Sequence, residues 1–160
     1  MNSGTPSEEL IRQIKNISEE FGKAYCEGSD LMFELIAKDA TIYSVNSTEP
    51  FRGQEAYRES FSANLVSTTR ELEVLREDIQ IIDDDNVLRV SSLKIIQDGL
   101  VIPVRQTQNW SRIDGEWKIT HLHTSLIGSP TPLEQPSTLE GIQIINERIA
   151  TVAAVLGVAQ

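Results

Sequence analysis

The sequence is poor in the residues that most often hold metals or act as nucleophiles: of its 160 residues, one is cysteine, Cys26, and two are histidine. A single cysteine excludes a disulfide within the chain and is typical of proteins in a reducing cytoplasm, where we expect this one. No apolar run reaches the length of a membrane span. The N-terminal residues "MNSGTPSEEL" also lack the basic-then-apolar pattern of a secretory signal.

Positive charge is also scarce. The chain carries 14 Lys and Arg against 24 Asp and Glu, a net charge of −10, and the basic residues are scattered. An acidic surface without a basic patch releases few counterions from a phosphate backbone. We therefore expect neither nucleic acid nor an anionic membrane as a partner.

Sequence motifs of common catalytic sites are absent, including Gly-x-Ser-x-Gly, the Walker and Rossmann glycine patterns and His-Glu-x-x-His. His121 and His123 lie two apart in the strand-like run "WKITHLHTS", so their imidazoles share one face. A metal site would need a carboxylate as third ligand, and spacing marks none of the available ones. The sequence therefore predicts no metal and no cofactor. The possible third ligands are Asp39, Glu49 and Glu55.

The first part of the chain predicts three helices. Thr5 can cap the first, Glu8 completes a capping box, and Gly28 stops it. A short helix over "SDLMFELIA", a strand over "DATIYSV" and a third helix over "GQEAYRESFSANLV" follow. The apolar residues at helical spacing are Leu10, Ile14, Ile17, Phe21 and Tyr25 in the first helix, and Tyr57, Phe61 and Leu65 in the third.

From residue 70 onward, four long runs alternate with period two and are joined by acid-rich turns, two of them Asp-Gly. Helices followed by a four-stranded meander predict an α+β fold, in which three N-terminal helices cover one face of a curved antiparallel sheet. We place this domain at residues 5–128, a Pro-rich linker at 129–137 and a further C-terminal helix at 138–157. That helix packs either on its own domain or on another subunit. Its heptad seam is Ile142, Ile145, Ile149, Val152 and Leu156.

The run "RQTQNWSRIDGEWKITHLHTS" resembles the signature of the association (hub) domain of calcium/calmodulin-dependent protein kinase II. A looser likeness covers residues 8–128. The resemblance places the chain in the nuclear transport factor 2-like (SnoaL-like, cystatin-like) superfamily, whose fold is a cone of three helices against a strongly curved sheet. The signature positions are Thr107, Trp110, Arg112, Asp114, Gly115, Trp117, His121, His123 and Ser125.

The resemblance implies a stand-alone oligomer, at least a dimer, built through its sheets. It implies no kinase activity, since the glycine-rich loop, His-Arg-Asp and Asp-Phe-Gly are all absent. Hub pockets use arginines to hold an anionic ligand. At two of those positions this chain has Gln108 and Thr124, so the resemblance does not extend to an acidic ligand.

The turn at Asp114-Gly115 decides which sheet face carries the histidines. A two-residue loop pairs Gln108 with His121, whereas a three-residue loop including Ile113 pairs Thr107 with His121 and moves the histidines to the other face. The hub resemblance favours the three-residue loop. On that register, the outer face carries a polar cluster for a subunit interface, and the opposite face lines a pocket. The interface residues are Arg105, Thr107, His121, His123 and Ser125. The pocket residues are Tyr43, Gln108, Trp110, Leu122 and Thr124.

Two functions fit these features. The first is an oligomeric hub-like domain whose pocket binds a small molecule or a partner protein without chemistry. The second is a SnoaL-like isomerase, dehydratase or hydrolase that needs no cofactor and acts on a small hydrophobic substrate. Tyr43 and Asp39 are the candidate acid–base residues for the second, because a pocket can shift the pKa of such groups.

Overall fold

Helix α1 forms as predicted. The computed structural model describes residues 4–45, 47–63, 70–134 and 143–150, and α1 spans Pro6–Glu27. Thr5 Oγ1 accepts a hydrogen bond from the backbone N of Glu8 (3.2 Å), and Glu8 Oε2 accepts one from the backbone N of Thr5 (2.8 Å). Gly28 ends the helix in the left-handed conformation, with a φ of 68°.

The second helix is shorter than predicted. Helix α2 spans Leu31–Glu34, and strand β1 (Ile36–Tyr43) begins where the helical pattern had predicted two more residues of helix. Ile36 pairs with Ile119, and the backbone N of Ile119 donates to Leu35 O at 2.8 Å. Sheet pairing therefore outweighs a weak helical preference over these residues.

A short strand, β2 (Phe51–Arg52), leads into helix α3 (Gln54–Ala63). Gly53, between them, has a φ of 90°, and a side chain there would collide with the carbonyl oxygen of Lys38. Only glycine therefore fits this turn. The predicted end of the third helix, including Leu65, lies outside the described residues.

The sheet is mixed, which corrects the prediction of a purely antiparallel one. Strands β3 (Arg70–Asp83), β4 (Asn86–Gln97), β5 (Leu100–Ile113) and β6 (Glu116–Leu126) form the predicted antiparallel meander. Strand β1 then lies parallel to β6, which gives the order β2-β1-β6-β5-β4-β3. The predicted α+β fold, with helices against a sheet, is confirmed.

The predicted register between β5 and β6 is right about the faces and wrong about the pairs. Asp114 and Gly115 form a two-residue turn with φ of 51° and 81°, and Ile113 pairs with Glu116. The register shifts at Thr120, where β6 carries one extra residue as a bulge. Beyond the bulge, Thr107 pairs with His123, not with His121. The further outer-face pairs are Arg105 with Ser125 and Asn109 with His121.

The core lies between α1 and one face of the sheet, which we call the inner face. Trp110 is completely buried there, and the ring of Phe21 meets it edge-on at 6.4 Å between centroids. A second, smaller cluster occupies the β4–β5 end of the same face. Its buried residues are Leu93, Leu100, Ile102 and Val104.

Two described parts of the C-terminal segment, residues 131–132 and 143–150, lie on the domain at or near the second cluster. Within the predicted linker, Thr131 and Pro132 form a short strand, β7, beside Leu100 and Val101 of β5. Helix α4 (143–150) places Ile149 against the second cluster. Of the predicted heptad seam, Ile142, Val152 and Leu156 lie outside the described residues.

Candidate functional site: a cavity under the inner face

A cavity of about 760 Å³ lies between the inner face and helices α1 and α3. Its walls are mostly apolar and aromatic, as in sites that bind small molecules. Phe21, Tyr25 and Cys26 of α1 and Tyr57 and Phe61 of α3 line one side. The sheet contributes Leu72, Val74, Leu93, Ile95, Ile102 and Val104.

A row of hydrogen-bonded polar side chains crosses the cavity floor from β3 to β6. We call it the polar ladder; it consists of Glu77, Arg89, Gln108, Gln106 and Thr124. Arg89 Nε donates to Glu77 Oε2 at 2.7 Å, and Arg89 Nη1 donates to Gln108 Oε1 at 3.4 Å. Gln108 Nε2 donates to Gln106 Oε1 at 2.8 Å, and Gln106 Nε2 donates to Thr124 Oγ1 at 3.2 Å. The ladder thus links four strands.

Trp110 fixes the amide of Gln108 in this row. Its indole Nε1 donates to Gln108 Oε1 at 3.0 Å, so that oxygen accepts from both Trp110 and Arg89. Gln108 is 1% exposed. Because a buried amide must find its partners inside the protein, the direction of every donor along the ladder follows from this contact.

The ion pair at the β3 end of the ladder joins a buried arginine to a partly buried carboxylate, and sequence reasoning missed both residues. The Arg89 side chain is 6% exposed and that of Glu77 is 23% exposed. Arg89 lies in the inward phase of β4, between Val87 and Ser91. The alternation of β4 could have revealed it in the sequence, since an arginine between two inward-pointing residues must also point into the core or the cavity.

A second arginine lies at the helix side of the cavity. Arg70 is buried, donates from Nη1 to the carbonyl oxygen of Tyr25 at 2.9 Å, and stacks 4.9 Å from the ring centroids of Tyr25 and Phe61. Burial raises the pKa of the Tyr25 and Tyr57 hydroxyls and of the Cys26 thiol. These three groups therefore stay protonated near neutral pH and are weak nucleophiles there.

The predicted pocket residues divide into three groups. Gln108 and Thr124 line the cavity. Trp110 and Leu122 lie beneath it, at 0% and 2% exposure in the main core. Tyr43 does not line it, because β1 pairs Ile42 with the inward Leu122 and Tyr43 with the outward His123. The Tyr43 ring lies 5.7 Å from the His123 ring, on the outer face.

Asp39, the other predicted acid–base candidate, is exposed on β1 and lies away from the cavity. The register between β1 and β6 is irregular between Ile36 and Thr41, so the strand's alternation does not carry Asp39 inward. Neither Asp39 nor Tyr43 is therefore positioned to act on a molecule in the cavity.

The predicted interface residues share the outer face. Arg105, Thr107, His123 and Ser125 line a groove there, and His121 lies on the same face opposite Asn109. Arg105 and His123 are exposed. In the part of the chain that the structure describes, no three His, Cys, Asp or Glu side chains are grouped as metal ligands, and no helix is long and apolar enough to cross a bilayer.

Several solved structures share this fold. A provisionally assigned calcium/calmodulin-dependent protein kinase II association domain from Xanthomonas campestris matches with a TM-score of 0.64 and 18% identity, over 72% of this chain and 86% of that one. A nuclear transport factor 2-like protein of unknown function from Pseudomonas putida matches with a TM-score of 0.65 and 17% identity, over 84% and 99%. A hexachlorocyclohexane dehydrochlorinase from Novosphingobium barchaimii matches with a TM-score of 0.69 and 14% identity, over 84% and 97%.

At these identities the structures establish the fold and leave the activity open. No curated protein matches the sequence at a significant level. Residues 14–129, which run from the middle of α1 to just beyond β6, match the family described as the SnoaL-like domain. The chain therefore belongs to the SnoaL-like domain family and has its nuclear transport factor 2-like α+β fold.

Proposed function

We propose that the chain is a hub-like domain that binds a small, mostly apolar molecule in the cavity without transforming it, and that pairs with a second copy through its outer face. The observation that carries the proposal is the polar ladder. None of the described residues lining the cavity is a histidine or an aspartate, and Glu77, the carboxylate on the cavity floor, already accepts from Arg89. The two other glutamates that line the cavity, Glu19 and Glu71, are exposed to solvent. General acid–base chemistry needs a group that can exchange a proton with the substrate.

The outer face supports self-association. Arg105, Thr107, His121, His123 and Ser125 form two adjacent rows on the central strands β5 and β6. The exposed apolar side chain of Val90 borders the same groove. A polar cluster that a partner buries must be hydrogen-bonded across the interface, so it selects one pairing more than it adds affinity. The reducing cytoplasm is the compartment we expect for this assembly.

Binding without turnover is tested with N-phenyl-1-naphthylamine, a neutral dye that fluoresces in apolar cavities. We expect the dye to bind and to be recovered unchanged. Ile95→Trp narrows the cavity and should weaken the signal, whereas Lys94→Trp, the preceding residue on the outer face, should preserve it. Equal signals from both variants would place the dye elsewhere and contradict the proposal.

Self-association is tested by sedimentation velocity. We expect His121→Ala to lower the dimer fraction, because it removes a member of the outer cluster. Gln80→Ala, on the outer face of the edge strand β3, is the control and should leave the dimer fraction unchanged. An unchanged oligomer in the His121 variant, together with lost dye binding, would show that this residue serves the cavity instead.

The alternative is a SnoaL-like isomerase, dehydratase or hydrolase with Glu77 as its base. One observation favours it: the Glu77 carboxylate lines an otherwise mostly apolar cavity. Glu77→Gln separates the two functions. An enzyme of this kind loses turnover while it keeps binding its substrate, whereas a binding domain shows no turnover before or after the change.

A further inference from the structure

The charged residues around the cavity balance each other. Among the described residues, three acidic and three basic side chains line it, so this part of the wall has no net charge. They are Glu19, Glu71, Glu77, Lys23, Arg70 and Arg89. A carboxylate entering this cavity would lose its hydration without meeting an excess of positive charge, and burying an unpaired charge is costly. The balance favours a neutral occupant.

One donor on the cavity floor has no acceptor among the residues that the structure describes. Arg89 Nε donates to Glu77, and Nη1 donates to Ser91 Oγ (3.3 Å) and to Gln108 (3.4 Å). Within the described residues, the third nitrogen, Nη2, takes part in no hydrogen bond, although Arg89 is 5% exposed and lines the cavity. A guanidinium offers five N–H donors in a fixed plane, so Nη2 presents a fixed donor direction there.

The surroundings of that donor describe its complement. Leu93, Ile102 and Val104 lie along the same face of β4 and β5 and supply apolar contact area. Beside that donor, Glu77 already neutralises the guanidinium charge, because its carboxylate accepts from Arg89 Nε at 2.7 Å. An acceptor that carries no charge of its own can therefore satisfy Nη2 without being repelled by Glu77, whereas an anion would lie close to that carboxylate.

We propose that the occupant of the cavity is a neutral, mostly apolar molecule with a carbonyl oxygen that accepts a hydrogen bond from Arg89 Nη2. This inference rests on the proposed function, in that the cavity is the binding site. It adds the chemical class of the ligand and the residue that selects it.

Three naphthalenes of matched shape test the proposal by isothermal titration calorimetry: 2-acetylnaphthalene with a neutral carbonyl, 2-naphthoate with a carboxylate, and 2-ethylnaphthalene with no acceptor. We expect the ketone to bind about tenfold more tightly than either of the others, the effect of one hydrogen bond to a charged donor. Equal binding of the ketone and the ethyl compound, or tightest binding of the carboxylate, overturns the inference and leaves the proposed function standing. If none of the three binds, the proposed function falls with it.

A paired variant locates the selectivity. The double variant Glu77→Gln/Arg89→Gln removes both charges, so that neither partner is left buried and unpaired. We expect it to bind the ketone and the ethyl compound within about twofold of each other, once the charge-assisted donor is gone. Arg76→Gln on the outer face should retain the tenfold preference. A preference that persists in the folded double variant, checked by circular dichroism, overturns the role of Arg89.

Discussion

The two faces of the sheet each carry an arginine–carboxylate pair, in very different surroundings. On the inner face, Arg89 meets Glu77 at 2.7 Å with side-chain exposures of 6% and 23%. On the outer face, Arg76 meets Asp78 at 3.1 Å with exposures of 76% and 51%. Glu77 stands between Arg76 and Asp78 in the chain, so three consecutive residues of β3 supply the whole outer pair and the carboxylate of the inner one. The strand's alternation, and not the residue types, decides which pair is structural.

Replacing the inner arginine should have the largest effect. We expect Arg89→Met to lower the free energy of unfolding by about 3 kcal/mol, because Glu77 is left without its partner in a poorly hydrated place. Arg76→Met should change it by less than about 0.5 kcal/mol. Urea denaturation followed by far-ultraviolet circular dichroism measures both.

The double variant Glu77→Gln/Arg89→Met sharpens this comparison. It should recover part of the loss, since no unpaired charge remains, and the two changes should be clearly non-additive. Equal losses in the two single arginine variants would mean that the inner pair is as well hydrated as the outer one.

The bulge at Thr120 shifts the pairing between β5 and β6, and removing it should have the next largest effect on the free energy of unfolding. Thr120 Oγ1 accepts from Asn109 Nδ2 at 2.7 Å and lies 3.1 Å from Ser111 Oγ. Deleting Thr120 removes these contacts and the bulge, and we expect a loss of about 1–2 kcal/mol in urea denaturation. Thr120→Val, which keeps the bulge and removes only the hydroxyl, should lose less.

The same deletion should leave the faces as they are. Without Thr120, the pairs Trp110–Ile119, Asn109–His121 and Gln108–Leu122 follow one another without interruption. Ile119 and Leu122 therefore still point inward, with His121 pointing outward between them. Binding of the neutral naphthyl dye should therefore survive. Loss of binding in a folded deletion variant would show that the bulge shapes the cavity itself.

Local signals in the sequence were enough for the elements that depend on neighbours in the chain. The capping box at Thr5 and the turn glycine at position 28 fixed α1, and the Asp-Gly turns marked the hairpins. The faces of β5 and β6 also followed, although through an expected three-residue loop in place of the observed bulge. A bulge depends on how long strands pair across the whole sheet, which no local pattern encodes.

The site was less predictable, for the same reason. Tyr43 was expected in the pocket, but its direction depends on the parallel register of β1 beside β6, which is set by contacts distant in sequence. Arg89 was overlooked, because charged residues are rarely buried unless they are paired. Its partner Glu77 is 12 residues away on the neighbouring strand. The pairing becomes evident only once β3 and β4 are aligned.

Thr124 and Ser125 are consecutive residues on opposite faces, and they offer a smaller test. We expect Thr124→Val to lower the free energy of unfolding by about 1 kcal/mol, because Gln106 Nε2 loses its acceptor at the end of the polar ladder. Ser125→Val should change it by less than about 0.5 kcal/mol in dilute protein. Urea denaturation at low protein concentration checks both. A larger loss in the Ser125 variant would contradict the assignment of the faces.

Thiol reactivity gives the smallest effect and compares the two faces without altering the ladder. Burial raises the pKa of the Cys26 thiol, which lines the cavity. Its thiolate is therefore scarce near neutral pH, and we expect iodoacetamide to react several-fold more slowly than with free cysteine, and faster as the pH rises. Addition of 2-acetylnaphthalene should slow the reaction further.

Ser125→Cys in a Cys26→Ser background reports on the outer face. The ligand should not affect the rate at which this thiol reacts. Higher protein concentration should lower that rate, because a second copy covers the groove. The proposal would be contradicted if the ligand slowed the reaction at position 125 and higher protein concentration slowed the reaction of Cys26. The outer face would then bind the ligand, and the cavity side would face the second copy.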